Sequence, residues 1–122
     1  MLKAKKNDFS FNKGKVQFLT TNNYKEIIEN YGHAILCDIS TIGYGRFYQA
    51  KQAGISADFV IQIPIIYKKL TNKDLVEFSD FNDPESYICK IVQVQELINS
   101  MPPCLQLTLQ KEKQPYADKR ND

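Results

Sequence analysis

Four stretches of the chain carry a β-type pattern. Cys104–Gln110 (CLQLTLQ) alternates cleanly: Leu105, Leu107 and Leu109 against Gln106, Thr108 and Gln110. That period of two predicts a strand with one dry and one wet face. Tyr87–Leu97 places Tyr87, Cys89 and Ile91 on one face and Ile88, Val92 and Val94 on the other, which predicts a long strand, sandwiched or bulged near its middle. Phe59–Ile66 (FVIQIPII) is almost continuously apolar and β-branched, as in a strand buried on both faces. Pro64 has no N–H for a ladder, so this part of the strand belongs at an edge or a bulge. Ala34–Ser40 is a strand of mixed phase, with Ala34 and Leu36 on one face and Ile39 out of step.

Shorter strands are expected at Val16–Leu19 and Leu75–Phe78. Tyr24–Glu29 reads as a loop or one helical turn, with Gly32 as punctuation and His33 as a polar strand start. After Gly43-Tyr44-Gly45 the pattern changes. RFYQAKQA has good helix formers with Phe47 and Ala50 three apart, and Gly54 suits the position just past a helix end, so a short helix is expected over about 44–53. Ser79–Glu85 is a turn by its Asp, Asn and Pro content, and Ile98–Pro103 is a loop stiffened by two prolines. The expected fold is mainly β: a small antiparallel β-barrel or sandwich of five to six strands, with one short inserted helix and polar extended ends. Residues 1–15, with five lysines, read as a basic N-terminal arm, 16–110 as the folded domain, and 111–122 as a polar C-terminal tail.

Composition narrows the chemistry. In 122 residues, 43% are hydrophobic and 25% charged, which suits one globular domain. A net charge of +2 is too mild to argue nucleic-acid binding by itself. The apolar run Phe59–Tyr67 is far short of the roughly 20 residues that cross a bilayer, and no apolar stretch follows the first lysines, so neither a membrane partner nor a secretory leader is expected.

Cys37, Cys89 and Cys104 are odd in number and far apart, and read as reduced core residues. His33 is the one histidine, so a Cys/His zinc site lacks a local ligand pair. Asp74, Glu77, Asp80, Asp83 and Glu85 cluster around turns as a solvated acidic rim. Asp80-Phe81-Asn82-Asp83 lacks the glycine and distal glutamate of a calcium loop, and Gly43-Tyr44-Gly45 lacks the remainder of a phosphate loop. No metal, cofactor or catalytic residue is expected, and the chain is not expected to be an enzyme.

The segment Ser40–Ile63 carries a more specific signal. Arg46-Phe47-Tyr48-Gln49-Ala50, then Ala53-Gly54-Ile55, then Asp58-Phe59-Val60-Ile61, resemble the core signature of the head-closure proteins of tailed bacteriophages, also called stoppers or head–tail adaptors. In that family a serine-rich turn, a helix of the type R-x-E-F-Y-x-A, a Gly-hydrophobic turn and a strand of the type D/E-Y/F-V-F-x-I follow one another. A short strand, an aromatic-bearing strand and a terminal strand of alternating leucines come next, matching Leu75–Phe78, Tyr87–Val94 and Leu105–Leu109. The resemblance covers about residues 16–110. Departures are Arg46 directly before Phe47 in place of an acid, Lys90 where the family often has arginine, and no glycine in Asn82–Ser86.

The resemblance implies a structural virion protein at the head–tail interface, made in the bacterial host's cytoplasm. It implies a homo-oligomeric ring, commonly a dodecamer, with the portal or adaptor ring above it and a tail terminator or tail protein below. Packaged double-stranded DNA would lie in the channel, held without sequence readout. On this reading Tyr44, Arg46, Phe47, Tyr48 and Lys51 are interface candidates, and Gln49 and Gln52 face the channel. A tail-terminator ring is the nearest alternative. An OB-like nucleic-acid module is the alternative of another class; it would want aromatics alternating with Lys or Arg on one strand face.

Overall fold

A computed structural model of the protein describes residues 9–40, 57–66, 75–112 and 116–120. Seven strands form one mixed sheet: β1 (Gly14–Thr21), β2 (Glu26–Ser40), β3 (Phe59–Pro64), β4 (Leu75–Asp80), β5 (Ser86–Leu97), β6 (Cys104–Lys111) and β7 (Ala117–Asp118). The order is β1-β4-β5-β6-β3-β2-β7, and β1 also pairs with β2. The first six strands therefore close into a ring of antiparallel neighbours, and β7 adds to β2 in parallel. Among the described residues there is no helix. The helix expected at 44–53 lies outside them.

The ring's interior follows from the alternation. Across β3 and β6, Ile61 faces Leu107 and Ile63 faces Leu105, while on the other side Gln62 is opposite Gln106 and Val60 opposite Thr108. Leu105, Leu107 and Leu109 join Val16, Phe18, Val76, Phe78, Cys89 and Ile91 in one buried cluster. The wet face of β6 is drier than its pattern implies, since Thr108 is buried and Gln106 accepts a 2.8 Å bond from the buried Gln62 Nε2. The β5 bulge appears where the sequence suggested: the β5–β6 register shifts between Ile91 and Gln93, leaving Val92 as the additional residue. Pro64 ends β3 and is exposed. At the start of β1, Gly14 is required by space, because a Cβ there would sit 2.5 Å from the Ser79 carbonyl oxygen.

The first hairpin departs from the sequence reading. Residues 24–29 are neither loop nor helical turn beyond Lys25, because β2 begins at Glu26. Asn22 makes the turn: its Oδ1 accepts the Tyr24 and Glu26 N–H groups, at 2.9 and 3.1 Å, and its Nδ2 donates to Glu26 Oε1. Gly32 does not end a segment. It lies inside β2 at φ +71°, where the β1 partners jump from Val16↔Ile35 to Phe18↔Tyr31. Gly32, His33 and Ala34 thus stand against Gln17 alone, and Gln17 Nε2 donates to the Tyr31 and Gly32 carbonyls. His33 is exposed in mid-strand rather than at a strand start. The bulge also resets which face is inside. Ile35 and Cys37 pack inward, while Ala34 and Leu36, expected to share the strand's apolar face, are exposed.

Described residues near both ends hydrogen-bond to the ring. The Phe9 N–H donates to the Met101 carbonyl, Ser10 N–H to Asp38 Oδ2, and Lys13 N–H to the Cys37 carbonyl. At the other end, the polar stretch after 111 includes β7, which pairs with β2 through Glu26↔Ala117 and Ile27↔Asp118.

Candidate functional site

Tyr44, Arg46, Phe47, Tyr48, Gln49, Lys51 and Gln52 all lie outside the described residues. The ring fixes where their segment leaves and returns. Ser40, the last residue of β2, is paired with Val60, and Asp58 precedes β3 by one residue. Ser40 and Asp58 therefore lie at the same mouth of the ring.

That mouth is aromatic. Phe59 continues the inward phase of Ile61 and Ile63, and stacks tilted on Phe78 (centroids 4.7 Å apart) and Tyr87 (5.6 Å). Lys111, at the end of β6, places Nζ 4.4 Å from the Tyr87 ring centroid and 5.5 Å from that of Phe59. A cation over a ring face at such a solvent-facing place adds about 0.5–1 kcal/mol. Asp58 fixes the backbone around it: its N–H donates to the Leu109 carbonyl, and its Oδ2 accepts the Lys111 N–H, both at 2.8 Å. The Tyr87 hydroxyl donates to Asp83 Oδ2 at 2.9 Å. The Asp83 carboxylate is held below the ordinary range by the Glu85 N–H, then by Tyr87 and by the charge of Lys111. The same hydrogen bond to Asp83 is the main cause that raises the Tyr87 phenol.

Beside this rim lies a cleft of about 270 Å³ lined by Ser86, Tyr87, Ile88, Lys111, Glu112 and Tyr116. Its polar atoms are already engaged in part, since Ser86 Oγ donates to Glu77 Oε2. A second hollow of about 290 Å³ lies at the β2 bulge, between Phe18, Tyr31, Ile35 and Ile66.

The acidic rim does turn-making work. Asp80 Oδ1 accepts the Asn82 N–H and Asp83 Oδ1 accepts the Glu85 N–H, both bonds local to the β4–β5 turn. Glu77 is ion-paired with Arg120. Among the described residues no group of three His, Cys, Asp or Glu side chains is placed to hold a metal.

The cysteines are free and buried, as their apolar flanks suggested. Burial, aided by Asp38 and Asp80, pushes the Cys37 thiol up to about 12. Burial chiefly, with Asp58, pushes Cys89 up to about 12. Cys104 is also raised by burial, with Ser100 Oγ 3.5 Å away. A thiol with a raised pKa is a poor nucleophile at neutral pH, so these three are packing residues.

Sequence reasoning missed the Asp83–Tyr87–Lys111 cluster. Lys111 stands among tail residues in the sequence, and only the β5–β6 register brings it to Tyr87. The chain matches no protein-family model, no curated protein and no solved structure.

Proposed function

We propose that this chain is a structural, non-catalytic subunit of a tailed-phage head–tail connector, a head-closure ring protein with a small barrel body. The observation that carries the reading is the run Phe47–Ala50, Ala53–Ile55 and Asp58–Ile61, in family order, with Arg46 standing where the family has an acid. The fold is compatible with it. The strand that closes this run is β3, and the strands after it form a contiguous β4-β5-β6-β3 stretch of the ring. The mouth where β2 ends and β3 begins carries the aromatic and cationic groups Phe59, Tyr87 and Lys111, a chemistry suited to anchoring a neighbouring protein surface. In this role the subunit joins copies of itself into a ring between portal–adaptor and tail, with DNA in the channel, and works by fit and not by turnover.

Native mass spectrometry of the purified chain, alone and mixed with a portal–adaptor complex, tests the reading. A chain that adds to the complex in a fixed ring number supports head closure, and Tyr48→Ala and Arg46→Glu then lower that addition without loss of folding. A chain that ignores the complex and forms a hexamer points to a tail terminator. A chain that does neither and shifts single-stranded DNA overturns the connector reading.

A further inference from the structure

The last described strand joins the ring at a place its own predecessor does not touch. β6 pairs with β5 and β3, whereas β7 pairs with β2. The receptor for β7 has two parts. One is backbone: the outer edge of β2 at Glu26 and Ile27, where the Ile27 carbonyl accepts the Lys119 N–H at 2.7 Å. The other is a polar socket on the strands. Glu77 Oε1 of β4 and Asn30 Oδ1 of β2 accept from one guanidinium nitrogen of Arg120, at 2.9 and 3.0 Å. Asp118, within the same segment, takes the other guanidinium groups at 2.7 and 2.9 Å and so sets the arginine's pose before it meets the socket.

This receptor reads a definite chemistry: an extended segment running parallel to β2, with an arginine two residues after its second ladder residue. The attachment is weak by construction. The ladder is two residues long, Ala117, Asp118 and Lys119 are exposed, and every bond named above is polar. Such an element opens at low local cost. When it lifts, the socket stays behind, because Glu26, Ile27, Asn30 and Glu77 belong to ring strands.

We infer that the β2 edge at Glu26–Ile27, with the Glu77–Asn30 socket, is a strand-exchange site for a second copy of this chain, filled in trans by that copy's Tyr116–Arg120. The fitting occupant is the chain's own segment from another copy: the same five residues, with the same arginine offset, reproduce every contact and require no new surface. The inference stands on these contacts and not on the connector reading, so its test uses the purified chain alone.

Two single variants, Glu26→Cys and Ala117→Cys, occupy positions that face each other in the ladder. Mixed in equal amounts and oxidised, they join to one another only between copies, and Cys37, Cys89 and Cys104 are buried. The double variant reports the contact within one copy and shows that the substituted chain folds. A strap tethered in cis has an effective concentration of order 1 mM, so the fraction of chain in the mixed disulfide should rise about fivefold between about 0.1 and 1 mM protein. Adding Arg120→Gln to the Ala117→Cys chain should lower it about fivefold, as a charge-assisted contact is lost. A mixed disulfide no more abundant than the two same-variant dimers overturns the inference, as does a yield indifferent to Arg120→Gln. A disulfide that forms in the double variant but never between copies overturns it equally.

Discussion

β6 and β2 belong to the same ring and are held in it by different forces. β6 is paired along its length, to β3 on one side and β5 on the other, and its three leucines are buried in the common core. β2 is nearly twice as long, yet only Ile27, Cys37 and Asp38 are buried along it. Its shape depends on polar anchors instead: Asn22 at the turn, Gln17 at the bulge and Asp38 under the N-terminal segment. Apolar burial is nondirectional and indifferent to pH and salt over ordinary ranges. Hydrogen bonds and ion pairs to exposed groups are directional, weaker and titratable. One half of the ring should therefore yield only to cavities, and the other to lost charges.

The largest effect belongs to β6. Leu107→Ala removes a fully buried side chain that faces Ile61 and Val94. Such a cavity costs about 3 kcal/mol, read as a lower urea midpoint at unchanged slope. Leu36→Ala, the same substitution on an exposed β2 position, should move the midpoint by less than about 0.5 kcal/mol. Equal losses at the two sites would abolish the contrast.

The next effect sharpens the polar half. Asp38 is 5% exposed; its Oδ2 accepts the Ser10 N–H and its Oδ1 accepts the Ile39 N–H at 2.8 Å and lies 3.3 Å from Lys13 Nζ. Asp38→Ala leaves those N–H donors without the carboxylate, and should cost about 2 kcal/mol and release the Phe9 amide to hydrogen exchange. Lys13→Ala should cost under about 0.5 kcal/mol, because that side chain is more than half exposed and its charge is screened. A lysine effect as large as the aspartate effect would mean that the ion pair, and not the backbone donors, is what Asp38 serves.

The same contrast decides what could be read from the sequence. Strands whose neighbours impose one constant face were legible: the leucine alternation of β6, the apolar run of β3 and even the midpoint bulge of β5. β2 was legible only toward its end. Residues 26–34 show no fixed face, since a three-residue bulge resets the phase and solvent covers most side chains. β7 carries no pattern at all, because a two-residue parallel pairing is set by Arg120 reaching Asn30 and Glu77, which are remote in sequence. The aromatic mouth was half legible. Phe59, Phe78 and Tyr87 appear as strand residues, but nothing local tells Lys111 apart from its charged neighbours. The interface candidates Tyr44–Gln52 rest on the motif alone.

The smallest effect is local and pH-dependent. Asp118 is held at about 2, against 3.8 for an ordinary aspartate, first by the Arg120 side chain and then by the Arg120 N–H. A depressed folded-state pKa contributes stability that is complete above the unfolded value and disappears as pH falls through the folded one. The strap should therefore keep its Lys119 amide protection from neutral pH down to about pH 4, and lose it between about pH 4 and pH 2. The β6 amides of Leu107 and Leu109 should remain protected as long as the ring is folded. The Asp118 side chain is 46% exposed, so solvent screens this contribution and the midpoint of global unfolding should hardly move with it. Asp118→Asn should make Lys119 exchange faster at neutral pH and flatten its dependence on acid. If instead Lys119 and Leu107 lose protection together at one pH, the strap and β6 form one cooperative unit, and the division between a polar half and an apolar half does not extend to the dynamics.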